Sequence, residues 1–424
     1  MSAFSLHNNI RFITSQWRFL LFGVLLAFFS SPGQTFFISL FSAEIRGELN
    51  LSHGDFGMIY AMGTLCSAAT IIFLGRSVDI FRLQPVALAV IIGLAFATSF
   101  FSIVSSAVML GFGIYFLRLT GQGMMSHLYA TAMSRRYVAE RGRAVAIATQ
   151  GHPLSEVLMP AFALLLLAVM DWRQIWQVTT ILLLVVMIPA TLMLSGRQDG
   201  QDGAGVDGLA AGRDGNHWTT RQVIFQWRFL LLAGLVLAPS FTSTGLFFHQ
   251  IYFADLKNIP LPLWASGYTV YAALSIFGSL IGGAMVDRFS ATAIAPFIVA
   301  FLAWPVFLLG QISSPMMVWV YFAIFGLIQG GVYPVVTPIW AELYGTRHLG
   351  GIKAVMHALM VFASALSPAG IGIMIDAGYG LNAILIVMGA VPVIAGMLGF
   401  AGCWLGRPKG TSRIHPQSNP KSNP

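Results

Sequence analysis

Apolar residues in this chain come in long unbroken blocks, separated by short polar stretches. Twelve blocks stand out, at 18–41, 54–75, 83–103, 108–132, 143–168, 174–195, 226–251, 263–286, 291–311, 316–340, 350–375 and 381–405. About 20 apolar residues in helical form cross the hydrocarbon of a bilayer. The blocks are continuous rather than alternating, which excludes the dyad pattern of a membrane barrel. The pattern predicts an all-α integral membrane protein of twelve transmembrane helices.

Two stretches interrupt it. Residues 195–222 are rich in Gly and Asp and poor in large apolar groups, the composition of a flexible linker. Trp218–Ile224, just before the seventh block, reads as a short surface helix. The tail 407–424 is polar and Pro-rich and is expected to be disordered. The division is therefore a first half at 1–194, a linker at 195–222, a second half at 223–406 and a tail at 407–424. The first block follows Arg11 and Arg18. It is too long for a signal-peptide core and no A-x-A-like site follows it, so it reads as a retained first span.

The two halves repeat each other. QWRFLL occurs at 16–21 and again at 226–231. Tyr60, Ser67, Gly75, Val78, Asp79 and Phe81 recur as Tyr268, Ser275, Gly283, Val286, Asp287 and Phe289, at a constant offset of 208. Two like halves of six spans imply a pseudo-two-fold axis along the membrane normal.

Composition agrees with a membrane setting: 57% of residues are hydrophobic and 9% charged, against about 25% charged in soluble domains. The net charge of +8 does not indicate nucleic acid, because the basic residues cluster in short loops. With the N-terminus inside, the outer loops hold only Arg46, Arg173 and Lys257. That asymmetry predicts a multi-pass protein of the cell (inner) membrane with both termini cytoplasmic. Cys66 and Cys403 both fall in apolar blocks. They offer no disulfide framework or metal spacing and read as small buried residues.

Two ionisable residues stand where lipid should be. Arg118 lies inside the fourth block and Glu156 inside the fifth, each isolated in sequence. At 1.5 Å per residue both reach roughly mid-bilayer depth, and such charges mark functional sites. Gln122 sits one α-helical turn after Arg118, with Gly121 and Gly123 thinning the backbone. Thr149, His152, Glu156 and Pro160 form one stripe at helical spacing. Gly151 and Pro153 predict a kink there. A glutamate at this depth can hold or release a proton, and His152 can relay one near neutral pH. The alternative is a static Arg118–Glu156 ion pair that only fixes packing. His127 falls about 180° around its helix from Arg118 and is expected to face elsewhere; His249 and His357 are weaker candidates. Gln34, Tyr60, Tyr268 and Gln329 can line a central cavity or simply hydrogen-bond between helices.

Twelve spans in two halves, with an Asp-bearing turn after spans two and eight, resemble the major facilitator superfamily. Its loop signature is G-x-x-x-D-[RK]-x-G-R-[RK]. The first copy here is GRSVDIFRL, which keeps Gly75 and Asp79, puts Ile80 at the first basic position and Arg82 at the second glycine. The second is GAMVDRFSA, which keeps Gly283, Asp287 and Arg288. The resemblance implies two six-helix bundles, a monomer, alternating access, and a gating role for these residues. Asp79 would latch onto the start of span eleven and Asp287 onto the start of span five, each carboxylate facing a positive helix end. The family often carries an Arg in span four followed by glycines, and RLTGQG resembles that pattern. It implies a role for Arg118 in proton coupling or anion binding. The general sequence style also resembles the monocarboxylate-porter-like branch.

No phosphate-cradling glycine loop occurs, so ATP-driven pumping is not expected. Neither a nucleophile triad nor a metal cluster is present, so no enzyme activity, cofactor or metal is expected. The span-five G-x-x-x-G-P-x-x-G-G signature of drug/proton antiporters is replaced by GHPLSE. The leading expectation is a secondary active transporter that carries a small organic anion, a monocarboxylate, by proton symport. Its partners are then the solute, protons and the lipid bilayer. The alternatives are a proton-coupled antiporter exporting an amphipathic drug or metabolite, and a non-transporting membrane sensor. A sensor would need an appended signalling domain, and neither tail has the length of one.

Overall fold

The computed structural model describes residues 6–75, 77–137, 140–195, 212–345 and 347–404, apart from the side chains of residues 6–10, Asp79 and Arg141. Every regular element among them is helical. The first half contains α1 (Leu6–Phe28), α2 (Thr35–Ile38), α3 (Ser42–Leu49), α4 (His53–Leu74), α5 (Ser77–Ile80) and α6 (Leu83–Phe101). It continues with α7 (Ala107–Leu117), α8 (Ser126–Arg136), α9 (Arg141–Thr149), α10 (Gly151–Leu167), α11 (Trp172–Leu182) and α12 (Ile188–Leu194). The second half contains α13 (Thr220–Ile224), α14 (Trp227–Phe248), α15 (Gln250–Leu256), α16 (Leu261–Phe289), α17 (Ala291–Phe301) and α18 (Ala303–Gln311). It ends with α19 (Pro315–Val336), α20 (Ile339–Tyr344), α21 (Leu349–Asp376) and α22 (Leu381–Trp404). The face where α1 starts and α22 ends is called basal below, and the opposite face apical.

Ten helical rods among the described residues are long and apolar enough to cross a membrane. The two further expected spans, 108–132 and 143–168, are present but interrupted. Between α7 and α8 the backbone widens into a π-helix at Arg118–Met125. Between α9 and α10 the helix breaks at Gln150, beside the Gly151–Pro153 pair. These are the two spans that carry Arg118 and Glu156. The first span is also broken: α1 stops at Phe28, and a 3-10 turn at Ser31–Gly33 precedes α2. Pro32 has no N–H to continue the helical ladder.

The larger buried cluster runs from Phe22 and Leu94 through Trp176 to Phe248, Tyr268 and Met388, so it joins the halves. The smaller one, around Leu232, Val299 and Trp340, fills the basal part of the second half. Between them, α4 packs on α21 and α10 packs on α16 across the half-to-half boundary. Small residues permit the close approach. A Cβ on Gly57 would lie 2.4 Å from Pro368 O, and one on Gly372 would lie 2.4 Å from His53 O.

The linker expectation changes in part. Residues 196–211 lie outside the described residues, as does the expected tail at 407–424. From Gly212 on the chain is docked: Arg213 N donates to Glu342 O (2.8 Å) and Trp218 N to Tyr344 O (3.0 Å). The expected surface helix appears at Thr220–Ile224, opened by a capping box between Thr219 and Gln222. Cys403 is buried as expected, but Cys66 is exposed on α4.

Candidate functional site

The three backbone irregularities meet at one place. The broken end of α1 crosses the π-helical stretch so closely that a Cβ on Gly33 would lie 2.3 Å from Leu117 O and 2.6 Å from Gln122 N. Gly151 presses on α1 in the same manner, its Cβ position 2.2 Å from Val24 O. Irregular backbone at membrane depth is stable only where protein buries it or water reaches it. Here the break after α1 frees Gly33 O, and the side chain of Arg118 meets it.

Arg118 is 1% exposed. Its Nη1 donates to Gly33 O (3.2 Å), freed by the break in α1, and to Thr35 Oγ1 (3.4 Å). The guanidinium carbon lies 5.2 Å from the ring centroid of Tyr60, within cation–π range. The Tyr60 hydroxyl in turn is 2.6 Å from Thr35 Oγ1. Nε and Nη2 have no hydrogen-bond partner among the described residues. These two nitrogens form one edge of the guanidinium, the edge that grips a carboxylate side-on.

His152 sits in a separate network. Its Nδ1 lies 3.5 Å from Ser30 Oγ and its Nε2 3.2 Å from the Tyr129 hydroxyl. Gln34 Nε2 donates to the same Ser30 Oγ at 3.3 Å. One turn further along α10, Glu156 is partly exposed. It has no hydrogen-bond or ion-pair partner among the described residues, and it lies within electrostatic range of Tyr268 and Tyr271 on α16. The expected Arg118–Glu156 pairing is therefore not formed. Equal depth put the two charges at one level, but Arg118 turns to the Ser31–Gly33 turn, α2 and α4, while Glu156 looks across to the second half.

The remaining expected residues divide. Gln122 is partly exposed and has no hydrogen-bond partner among the described residues. The wider π-turn removes the i, i+4 register assumed for it with Arg118. Tyr268 is fully buried, and its hydroxyl donates to Gln250 Oε1. Gln329 Oε1 is buried without a hydrogen-bond partner among the described residues. His127 faces away as expected and bonds Gly75 O at 3.1 Å. His249 is buried against Pro368 O at 3.1 Å, a packing role.

The repeated turns are alike in sequence and unlike in shape. In the first, α4 ends, Gly75 is buried, and Arg135 Nη1 donates to Val78 O at 2.6 Å. Arg82 is exposed at the start of α6, and the Asp79 side chain lies outside the described residues. In the second, α16 runs straight through to Phe289, Gly283 has open space around it, and Asp287 and Arg288 are exposed. Asp287 makes no hydrogen bond or ion pair among the described residues, so its expected contact with the start of span five is not made in this conformation.

The hydrogen bonds joining the halves gather at the apical end. Gln250 Nε2 donates to Phe36 O (3.1 Å) and Ser39 Oγ (2.8 Å) of the first half. Its Oε1 accepts from Tyr268 and from Trp264 Nε1 (3.3 Å) of the second. Ser39 Oγ donates to Phe247 O at 2.7 Å. Sequence reading missed Gln250, Ser30, Thr35 and Tyr129. Only the SSPGQT string, a Pro-Gly break inside an apolar block, signalled that polar groups would be needed near Ser30 and Thr35.

The family model described as Major Facilitator Superfamily matches residues 23–356 and 268–423. No curated protein matches the sequence. Among solved structures, the chain is similar to a bacterial homolog of the human lysosomal transporter Spinster in an inward-facing, unoccupied conformation. The TM-score is 0.72 and the identity 15%, with 92% of this chain and 97% of that one covered. The same homolog in an inward-facing, occupied conformation gives a TM-score of 0.70 at 15% identity, with 90% and 96% covered. At that identity the likeness is one of fold.

Proposed function

The chain belongs to the Major Facilitator Superfamily, a family of membrane transporters, and from that premise we propose that it moves a small organic anion by proton symport with alternating access. The observation that carries this reading is the state of the two intramembrane charges. A static ion pair would have satisfied both. Instead Arg118 is buried with its carboxylate-gripping edge vacant of partners, and Glu156 stands partly exposed beside the second half.

In this reading the carboxylate of the solute meets Arg118 Nε and Nη2. That edge is covered in the apically closed conformation, so occupancy requires the broken segment after α1 to shift. Glu156 takes the proton, with His152 passing it along the Ser30–His152–Tyr129 chain. Gln122, Gln34 and Gln329 supply polar contacts to the solute, and Tyr60 and Tyr268 hold the walls in place. The basal face is cytoplasmic, the protein lies in the cell membrane as a monomer, and the two six-helix halves rock about the site. Gly75, Asp79, Arg82, Gly283, Asp287 and Arg288 form the basal gate, which engages only when that face shuts. An Asp287→Asn variant with unaltered transport kinetics would remove the gate from the account.

Arg118→Lys tests the anion site. Lysine keeps the charge but cannot present two parallel N–H groups. The expected result is a rise in KM for the carried acid of at least roughly tenfold, the scale of one charge-assisted hydrogen bond. Unchanged KM would sink the anion site.

A further inference from the structure

The apical end carries a second inter-half contact, different in kind from the buried Gln250 network. Asp376 is the last residue of α21, in the second half. Its Oδ1 accepts from His53 N at 3.0 Å and its Oδ2 from Gly54 N at 2.6 Å. Those are the first two N–H groups of α4, in the first half, and they have no partner within their own helix. The α4 capping box between Ser52 and Asp55 leaves them free, because Ser52 Oγ accepts from Asp55 N instead. A carboxylate there also faces the positive end of the α4 dipole.

We propose that Asp376 is the releasable latch of the apical gate, the contact that must part before the apical end opens. Three observations support this. The latch joins the two halves where α4 and α21 pack closely, beside Gly54 and Gly372. Asp376 is exposed, so water replaces its bonds when the halves separate. Gln250 is 1% exposed, and parting it strands buried groups on both sides, so its contact costs more to break than that of Asp376. A Cβ added at Gly54 would lie 2.6 Å from Asp376 Oδ2, so the carboxylate would have to shift. The purpose of the latch rests on the alternating-access reading above. Its existence is tested without any solute, so the two fail separately.

The test is a pair of spin labels on the apical face, at Gly47→Cys and Tyr379→Cys, with Cys66 and Cys403 replaced by Ser. Both label positions are exposed and lie on opposite halves. Asp376→Asn removes the charge and turns one acceptor into a donor. Gly54→Ala displaces the carboxylate without changing any charge. Each is expected to raise the long-distance population roughly three- to tenfold, the scale of a lost carboxylate–helix-end contact. The double variant should go no further than the stronger single one, because both break one contact. An unchanged distance distribution in folded Asp376→Asn and Gly54→Ala would overturn the latch, and so would additive shifts. If Asp376→Asn does not fold, Gly54→Ala decides alone.

Discussion

Arg118 commits one nitrogen to the broken first span and leaves the other two without partners, while Glu156 commits neither oxygen. Burying a polar group unpaired costs about 1–3 kcal/mol, so these unpaired atoms cost stability rather than add to it. A Glu156→Gln variant should fold and insert normally, since no hydrogen bond or ion pair is lost with the charge. It should lose the dependence of transport on the pH gradient while retaining exchange of the anion. Retained gradient dependence would assign the proton to another group. Both charges were legible in the sequence because each stands alone in an apolar block. Their partners were not. Helical depth is a one-dimensional measure, and the direction each side chain takes is set by the break at Ser31–Gly33 and by the π-helical stretch, neither of which follows from a periodic pattern.

At the scale of elements, the site exists because three helices are imperfect at the same level. Glycine is what lets them touch. Gly33→Ala would place a methyl 2.3 Å from Leu117 O, a backbone atom that cannot rotate away. We expect a loss of about 1–3 kcal/mol, the usual cost of overpacking, and a lower Tm in detergent. Gly370→Ala is the contrasting case: it lies inside α21 with nothing within 4 Å of the added carbon. It should gain about 0.5–1 kcal/mol from helix propensity. A Gly33→Ala protein as heat-stable as the Gly370→Ala one would contradict the close crossing. The kink near Gly151 and Pro153 was readable from residue chemistry. The π-helix at Arg118–Met125 was not, since RLTGQGMM carries no proline and its glycines serve an α-helix crossing equally well.

At the scale of the whole molecule, the doubled QWRFLL string and the paired Asp turns pointed to the Major Facilitator Superfamily, and the family match shows it. Equal register did not mean equal structure: Gly75 is buried in a turn, whereas Gly283 sits on an uninterrupted helix. The two turns are also held differently: His127 and Arg135 bond Gly75 O and Val78 O in the first, whereas in the second Glu342 accepts from Ala291 N and Thr292 N, beyond the end of α16. The apical contacts were invisible in sequence, since Asp376 with Gly54 and Gln250 with Ser39 join residues more than two hundred positions apart. The central claim, anion transport driven by protons, concerns the molecule as a unit. The measurement that tests it most directly is uptake of a panel of organic acids into proteoliposomes holding the purified protein, with and without an imposed pH gradient. The account predicts accumulation of at least one monocarboxylate that requires the gradient and collapses with a protonophore. Gradient-driven expulsion of a hydrophobic cation, with no acid accumulated, would contradict it.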